Sequence, residues 1–133
     1  MLTYPSRRTA GVLLVVYGGF SLLTFLINPH SGYMQNPLRQ NLFRAGHAHA
    51  GVLLVLSLVA LRYVDEARLS SGWKWYVRSS IPSAAIFLPA AFFFSVVSPH
   101  ATSPNGFIYL APFWSGSTSS GVLVLGVGLL RSQ

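Results

Sequence analysis

The sequence contains no cysteine. Disulfide frameworks, thiolate nucleophiles and cysteine-ligated zinc or iron–sulfur centres are therefore excluded. Acidic residues are nearly as scarce, since Asp65 and Glu66 are the whole complement and stand side by side. Two adjacent carboxylates do not flank a scissile bond from opposite sides or bridge two metal ions from facing helices. Charge of either sign makes up only 8% of the 133 residues, against about 25% in soluble domains. What is abundant is apolar, at 52%. Nine lysines and arginines give a net charge of +7, a balance that in a soluble protein points to nucleic acid. Here the basic residues fall between long apolar runs, so the composition points to a lipid bilayer and away from nucleic acid.

Four apolar stretches are legible, at about 9–27, 43–63, 79–98 and 107–130. Each has the roughly 20 residues that carry a helix across a hydrocarbon core of about 30 Å. Lipid leaves backbone polar groups no outside partner, so these stretches are expected to be helices. The first is longer than the apolar region of a signal peptide and no small-x-small cleavage site follows it, so it is read as a retained helix. The fold expected is all-α: one polytopic, four-helix transmembrane domain over residues 1–133.

Basic residues set the expected orientation. Arg7 and Arg8 precede the first helix, Arg62, Arg68, Lys74 and Arg78 surround the second connection, and Arg131 follows the last helix. Only Arg39 and Arg44 fall on the other side. The positive-inside rule then places both termini in the cytoplasm, in a plasma (inner) membrane. Trp73, Trp75 and Tyr76 are expected to anchor at the inner interface just before the third helix. Asp65 and Glu66 read as solvated partners of Arg62 and Arg68. Pro82 and Pro89 predict a kink in the third helix, which shapes the bundle.

A shift of 70 residues aligns Arg8 with Arg78, Pro29-His30 with Pro99-His100, Phe43 with Phe113, Gly46 with Gly116, and Gly51-Val52-Leu53 with Gly121-Val122-Leu123. The pattern predicts an internal repeat, with halves of about 1–63 and 71–133, built as two tandem helical hairpins in the same orientation. Gly46, Ala50, Gly116, Ser117, Ser120 and Gly121 have the small-residue spacing that lets membrane helices approach closely.

All four histidines fall at the same end of this topology. His30 ends the first helix, His47 and His49 open the second, and His100 ends the third. Histidine at or inside a bilayer is costly and is usually paired or functional. A metal or haem site, a hydrogen-bonded structural cluster and a pH sensor are the readings open to such a group. Residues two apart on a helix diverge by about 200°, so His47 and His49 are not expected to face one centre together. The simplest site is His30, His100 and one of the pair. Imidazole ligation suits copper, zinc or iron. His47 and His49 align with Ser117 and Ser119 in the repeat, which makes those hydroxyls candidate donors beside the site. Haem b is the other cofactor this pattern admits, held by two axial histidines, with Arg39 and Arg44 pairing its propionates.

The segment Leu42-Phe43-Arg44-Ala45-Gly46-His47-Ala48-His49-Ala50-Gly51 resembles the helix of haem–copper oxidase and nitric oxide reductase catalytic subunits that starts at the outer face, where an arginine shortly precedes a haem-ligating histidine. The resemblance implies that His47, or else His49, is an axial haem ligand and Arg44 a propionate partner. It covers about ten residues of 133. This chain lacks the further helices and the copper-centre histidines of that family, so what carries over is ligand binding and not the full catalytic machinery.

The function expected is a small membrane protein with a histidine-rich metal or haem site at the outer face. Its work would be electron transfer, metal handling, or a place within a respiratory or oxidase-like complex. The contrasting expectation is a cofactor-free accessory subunit that packs against other membrane subunits or copies of itself. A small oligomeric transporter is the third, although no charged residue falls mid-membrane to couple ions. A stand-alone enzyme is not the expected reading, since only histidine, water and hydroxyls could move protons.

Overall fold

The protein's structure, a computed structural model, describes residues 7–132, with side chains from Gly11 onward. Residues 1–6 and 133, which the repeat halves include, and the side chains of Arg7 and Arg8 lie outside the described residues. The chain forms α1 (Arg7–Ile27), a 3-10 turn (Pro29–Ser31), α2 (Pro37–Tyr63), α3 (Ser71–Ser95), a second 3-10 turn (Gly106–Tyr109) and α4 (Leu110–Leu130). No strand occurs among the described residues. α2, α3 and the segment Gly106–Leu130 are long and apolar enough to cross a membrane, and the apolar part of α1, Gly11–Ile27, is shorter. Leu14, Phe20, Val52, Ile86 and Leu123 are among the many large apolar side chains left outward, a surface consistent with lipid contact.

Two helices begin well before their apolar stretches. α2 starts at Pro37 rather than near residue 43, because Asn36 caps it: its Oδ1 accepts from the Arg39 amide at 3.1 Å. Asn at the cap followed by Pro at the first helical position is a strong start signal. α3 starts at Ser71 rather than near 79 and ends at Ser95 rather than 98. It runs through Pro82 and Pro89 as one helix. Trp73 and Trp75 thus sit in the first turns of α3 and remain exposed. Tyr76 turns inward, and its hydroxyl shares a 2.6 Å hydrogen bond with Ser120 Oγ across the α3–α4 interface.

Packing is uneven. α3 makes extensive interfaces with both α2 and α4, α2 touches α4 lightly, and among the described residues α1 packs on α2 alone of the long helices. The largest interface of α2 is therefore with α3, across the boundary between the repeat halves. Glycine decides the close approaches. A Cβ at Gly46 would lie 3.2 Å from the Pro89 carbonyl oxygen and 3.2 Å from Phe93, and one at Gly121 would lie 2.5 Å from Ser80 Oγ. At the repeat-equivalent positions Gly116 and Gly51 a Cβ would meet nothing within 4 Å.

Three apolar clusters run from one end of the bundle to the other. Ala60, Val64, Ala67, Val77, Ile81 and Leu125 fill the end beside the 64–70 connection. Leu53, Ala84, Leu88, Ala91 and Ala111 fill the middle. Tyr33, Phe43 and Val96 fill the other end, called here the loop face, where the 28–36 and 96–109 connections meet. At the first end Glu66 pairs with Arg62. Asp65 pairs with Arg78 and not with Arg68, as the sequence suggested, while the Arg68 amide donates to the Gly128 carbonyl at 2.9 Å. The turn brings residue 68 against the end of α4, and the helical start of α3 carries Arg78 up to the carboxylate.

Candidate functional site

The loop face is built by three asparagines. Asn28 Oδ1 accepts from the His30 amide at 3.0 Å and starts the turn that carries His30. That turn closes at Gly32, whose φ of 64° is the left-handed conformation that favours glycine. Asn105 bonds the end of α3, its amide donating to the Ser95 carbonyl at 2.8 Å and its Nδ2 to the Phe94 carbonyl at 2.9 Å. Asn36 ties the two connections together. While its Oδ1 caps α2, its Nδ2 donates to the carbonyls of Ala101 at 2.9 Å and Pro99 at 3.2 Å.

Beneath this tie lies Arg39, only 5% exposed. Its Nε donates to the Val96 carbonyl at 3.2 Å, and its guanidinium carbon stands 5.0 Å from the Phe43 ring centre and 6.0 Å from that of Phe25. A buried cation is costly unless partners replace its water; here one carbonyl and two ring faces do so. Tyr33 packs beside it at 1% exposure, its ring centre 5.9 Å from those of Phe25 and Phe43. Burial pushes the Tyr33 phenol above its ordinary value of 10.0, against the pull of Arg44 and Arg39. The neutral form is thus the one that folding favours. Its contribution is complete below about pH 10 and falls away as pH rises through the raised value. Tyr33→Phe is expected to flatten the part of the alkaline stability loss that this phenol causes, measured as unfolding temperature between about pH 9 and 11. An unchanged profile would rule out a linked Tyr33.

The structure divides the histidines. His30 and His100 line one pocket, together with Ser31, Asn36 and Thr102, between the two connections. His47 and His49 do not open α2: they stand ten and twelve residues beyond Pro37, about 15 and 18 Å along the axis at 1.5 Å per residue. The earlier start of α2 thus moves them out of the layer in which the sequence placed all four. They also diverge, as their spacing predicts. His47 faces α1, where a Cβ on Gly19 would come within 3.2 Å of its Nε2. His49 Nδ1 hydrogen-bonds the Ala45 carbonyl at 2.7 Å and its ring centre lies 5.2 Å from that of Phe92 on α3. Among the described residues no three side chains of His, Asp or Glu gather as a metal-binding group.

The remaining candidates have local partners. Arg44 donates to the Gln40 carbonyl at 3.1 Å and to Gln40 Oε1 at 3.0 Å. Ser119 Oγ donates to the Ser115 carbonyl at 3.0 Å, and the Ser117 carbonyl accepts from Ser120 Oγ at 3.1 Å. No described hydrogen bond joins Ser117 or Ser119 to a histidine. Asn36 was missed from the sequence; Asn before Pro37 is the signal that could have marked it as a cap, but its bonds to residues 99 and 101 carry no local signal. No family model, curated protein or solved structure matches the chain.

Proposed function

We propose that the protein is a four-span integral membrane protein that binds a transition-metal ion at its outer face through His30 and His100, and serves metal handling or electron transfer within a larger membrane complex. One observation carries this reading: two histidines 70 residues apart, each following a proline, line the same pocket at the junction of two connections. Imidazoles suit copper, zinc or iron. Two protein ligands leave coordination positions for water or for a ligand supplied by a partner or a second copy of the chain. Asn36 supports the arrangement, because it fixes the connection that carries His30 against the one that carries His100.

A bare ion suits these contacts better than haem b. His47 is turned against the α1 glycines, His49 is bonded to Ala45, and Arg39 and Arg44 are engaged by Val96 and Gln40. In this reading α1 is the fourth span, since its 21 residues reach about 31 Å at 1.5 Å per residue. The two hairpins derive from a duplication. Both termini lie in the cytoplasm with the basic 64–70 connection, which puts His30 and His100 on the outer side.

Elemental analysis of protein purified from native membranes, followed by titration calorimetry with copper(II) and zinc(II), tests the site. His30→Ala and His100→Ala are each expected to weaken binding by on the order of 100-fold or more. His47→Ala and His49→Ala are expected to leave it unchanged. Stoichiometric metal retained by the His30→Ala/His100→Ala double variant would sink the shared site. Metal-free protein that co-purifies with fixed partners would instead establish a cofactor-free accessory subunit.

A further inference from the structure

We propose a second binding site, independent of the histidine pocket: the groove between α1 and α3 holds one acyl chain of an anionic phospholipid, whose phosphate is received by Arg78 and Lys74. The groove exists because α1 packs on α2 alone. α2 forms its floor, α1 and α3 its walls, and its volume is about 740 Å³, within the range of small-molecule sites. Small residues line it, with Gly11 and Gly18 on one wall and Ala50 on the floor. Leu14 and Ile86, at the two rims, are 63% and 59% exposed on the outward apolar surface. The mouth therefore opens where lipid lies, and the bilayer supplies the occupant.

Length and charge select the lipid. The groove extends along α3 from Trp75 to Phe94, nineteen residues or about 28 Å at 1.5 Å per residue. That is a long, narrow apolar slot matched to one straight chain rather than a compact ligand. Its two ends differ. His47 and Phe93 close one end; Trp75 and Arg78 mark the other, at the face of the 64–70 connection. That face carries Arg62, Arg68, Lys74 and Arg78 against Asp65 and Glu66. Basic pockets between membrane helices at such a face are suited to anionic headgroups.

Arg78 is held there by the Asp65 carboxylate, and Lys74 Nζ donates to the Asp65 backbone carbonyl at 2.9 Å, so both cations bond the same residue. The ion pair is open to water, with 41% and 72% of its two side chains exposed. Pairs of that kind contribute little, and a phosphate offers the guanidinium a stronger, bidentate acceptor. The headgroup can thus take the Arg78 fork while the chain follows the groove toward His47.

Native mass spectrometry of the full chain, released from nanodiscs of equal phosphatidylglycerol and phosphatidylcholine, reads the site directly. Wild type is expected to retain one phosphatidylglycerol per chain in preference to phosphatidylcholine. Arg78→Gln should reduce that preference about fivefold, and Ala50→Leu, which fills the floor, should abolish retention of both lipids. Excess glycerol phosphate should leave the bound lipid in place. Equal retention of the two lipids by wild type, or an undiminished preference in Arg78→Gln, overturns the proposal. So does displacement by glycerol phosphate, which would mark a simple phosphate site, or selective retention of a free fatty acid. Arg78 lies in an exposed pair, so its variant carries the test even if Ala50→Leu does not fold.

Discussion

Gly121→Leu is expected to disrupt the α3–α4 interface, while the same substitution at Gly116 leaves the bundle intact. The first Cβ alone would stand 2.5 Å from Ser80 Oγ and 3.1 Å from Ile81 Cγ1. Both neighbours are buried, Ile81 completely, and Ser80 Oγ has no hydrogen-bond partner. The hydroxyl can swing aside, but the isoleucine behind it has no free volume to enter. Overpacking of this kind costs about 1–3 kcal/mol or more. At Gly116 the new side chain enters open space and gains helix propensity, worth up to about 1 kcal/mol relative to glycine. The order reverses in the other half of the chain. Gly46→Leu meets the Pro89 carbonyl and Phe93, whereas Gly51→Leu meets nothing. Thermal unfolding of the four variants in one detergent should therefore separate Gly46 and Gly121 from Gly51 and Gly116. Equal melting temperatures for Gly121→Leu and Gly116→Leu would refute the packing described.

The second large effect is expected at Asn36. Its Oδ1 caps α2 and its Nδ2 holds the 96–105 segment. Asn36→Ala removes three hydrogen bonds at once. A cap is worth about 1 kcal/mol and each of the other two bonds about 0.5–1.5 kcal/mol, so a loss of about 2–4 kcal/mol is expected. Asn36→Asp separates the two roles. A carboxylate still caps the helix and favours its positive end, but it has no donor for the carbonyls of Pro99 and Ala101. Hydrogen exchange should then rise over residues 96–105 in both variants, and over the first turn of α2 only in Asn36→Ala. Protection of residues 96–105 that survives in Asn36→Asp would show that some other contact holds the connections together.

The sequence announces four helices because bilayer hydrocarbon imposes its length on every apolar run. It misplaces two helix starts for a related reason. Residues 37–42 and 71–78 are polar enough to look like connection, yet a cap and a proline in one case, and in the other the packing of Val77 in the buried cluster and the Tyr76–Ser120 bond to α4, belong to helix. His47 and His49 moved with the start of α2, so a layer of four histidines became a pair and two separate residues. Arg39 shows what pattern alone omits. Its charge suggests a propionate-binding role, but the carbonyl that accepts its Nε is 57 residues away in sequence. The glycines show the same thing for packing. Gly46 and Gly116 match in the repeat, and only the identity of the neighbouring helix decides which of them is crowded.

The isolation of α1 has a dynamic consequence. Regions open locally at free energies that follow the contacts they must break. α3 shares extensive interfaces with α2 and α4, whereas α1 gives up its smaller contact with α2, which includes His47 seated on its glycines, and its contacts with the 28–36 connection. Unfolding should therefore begin with the release of α1, and the remaining three helices should persist as the last cooperative unit of the molecule.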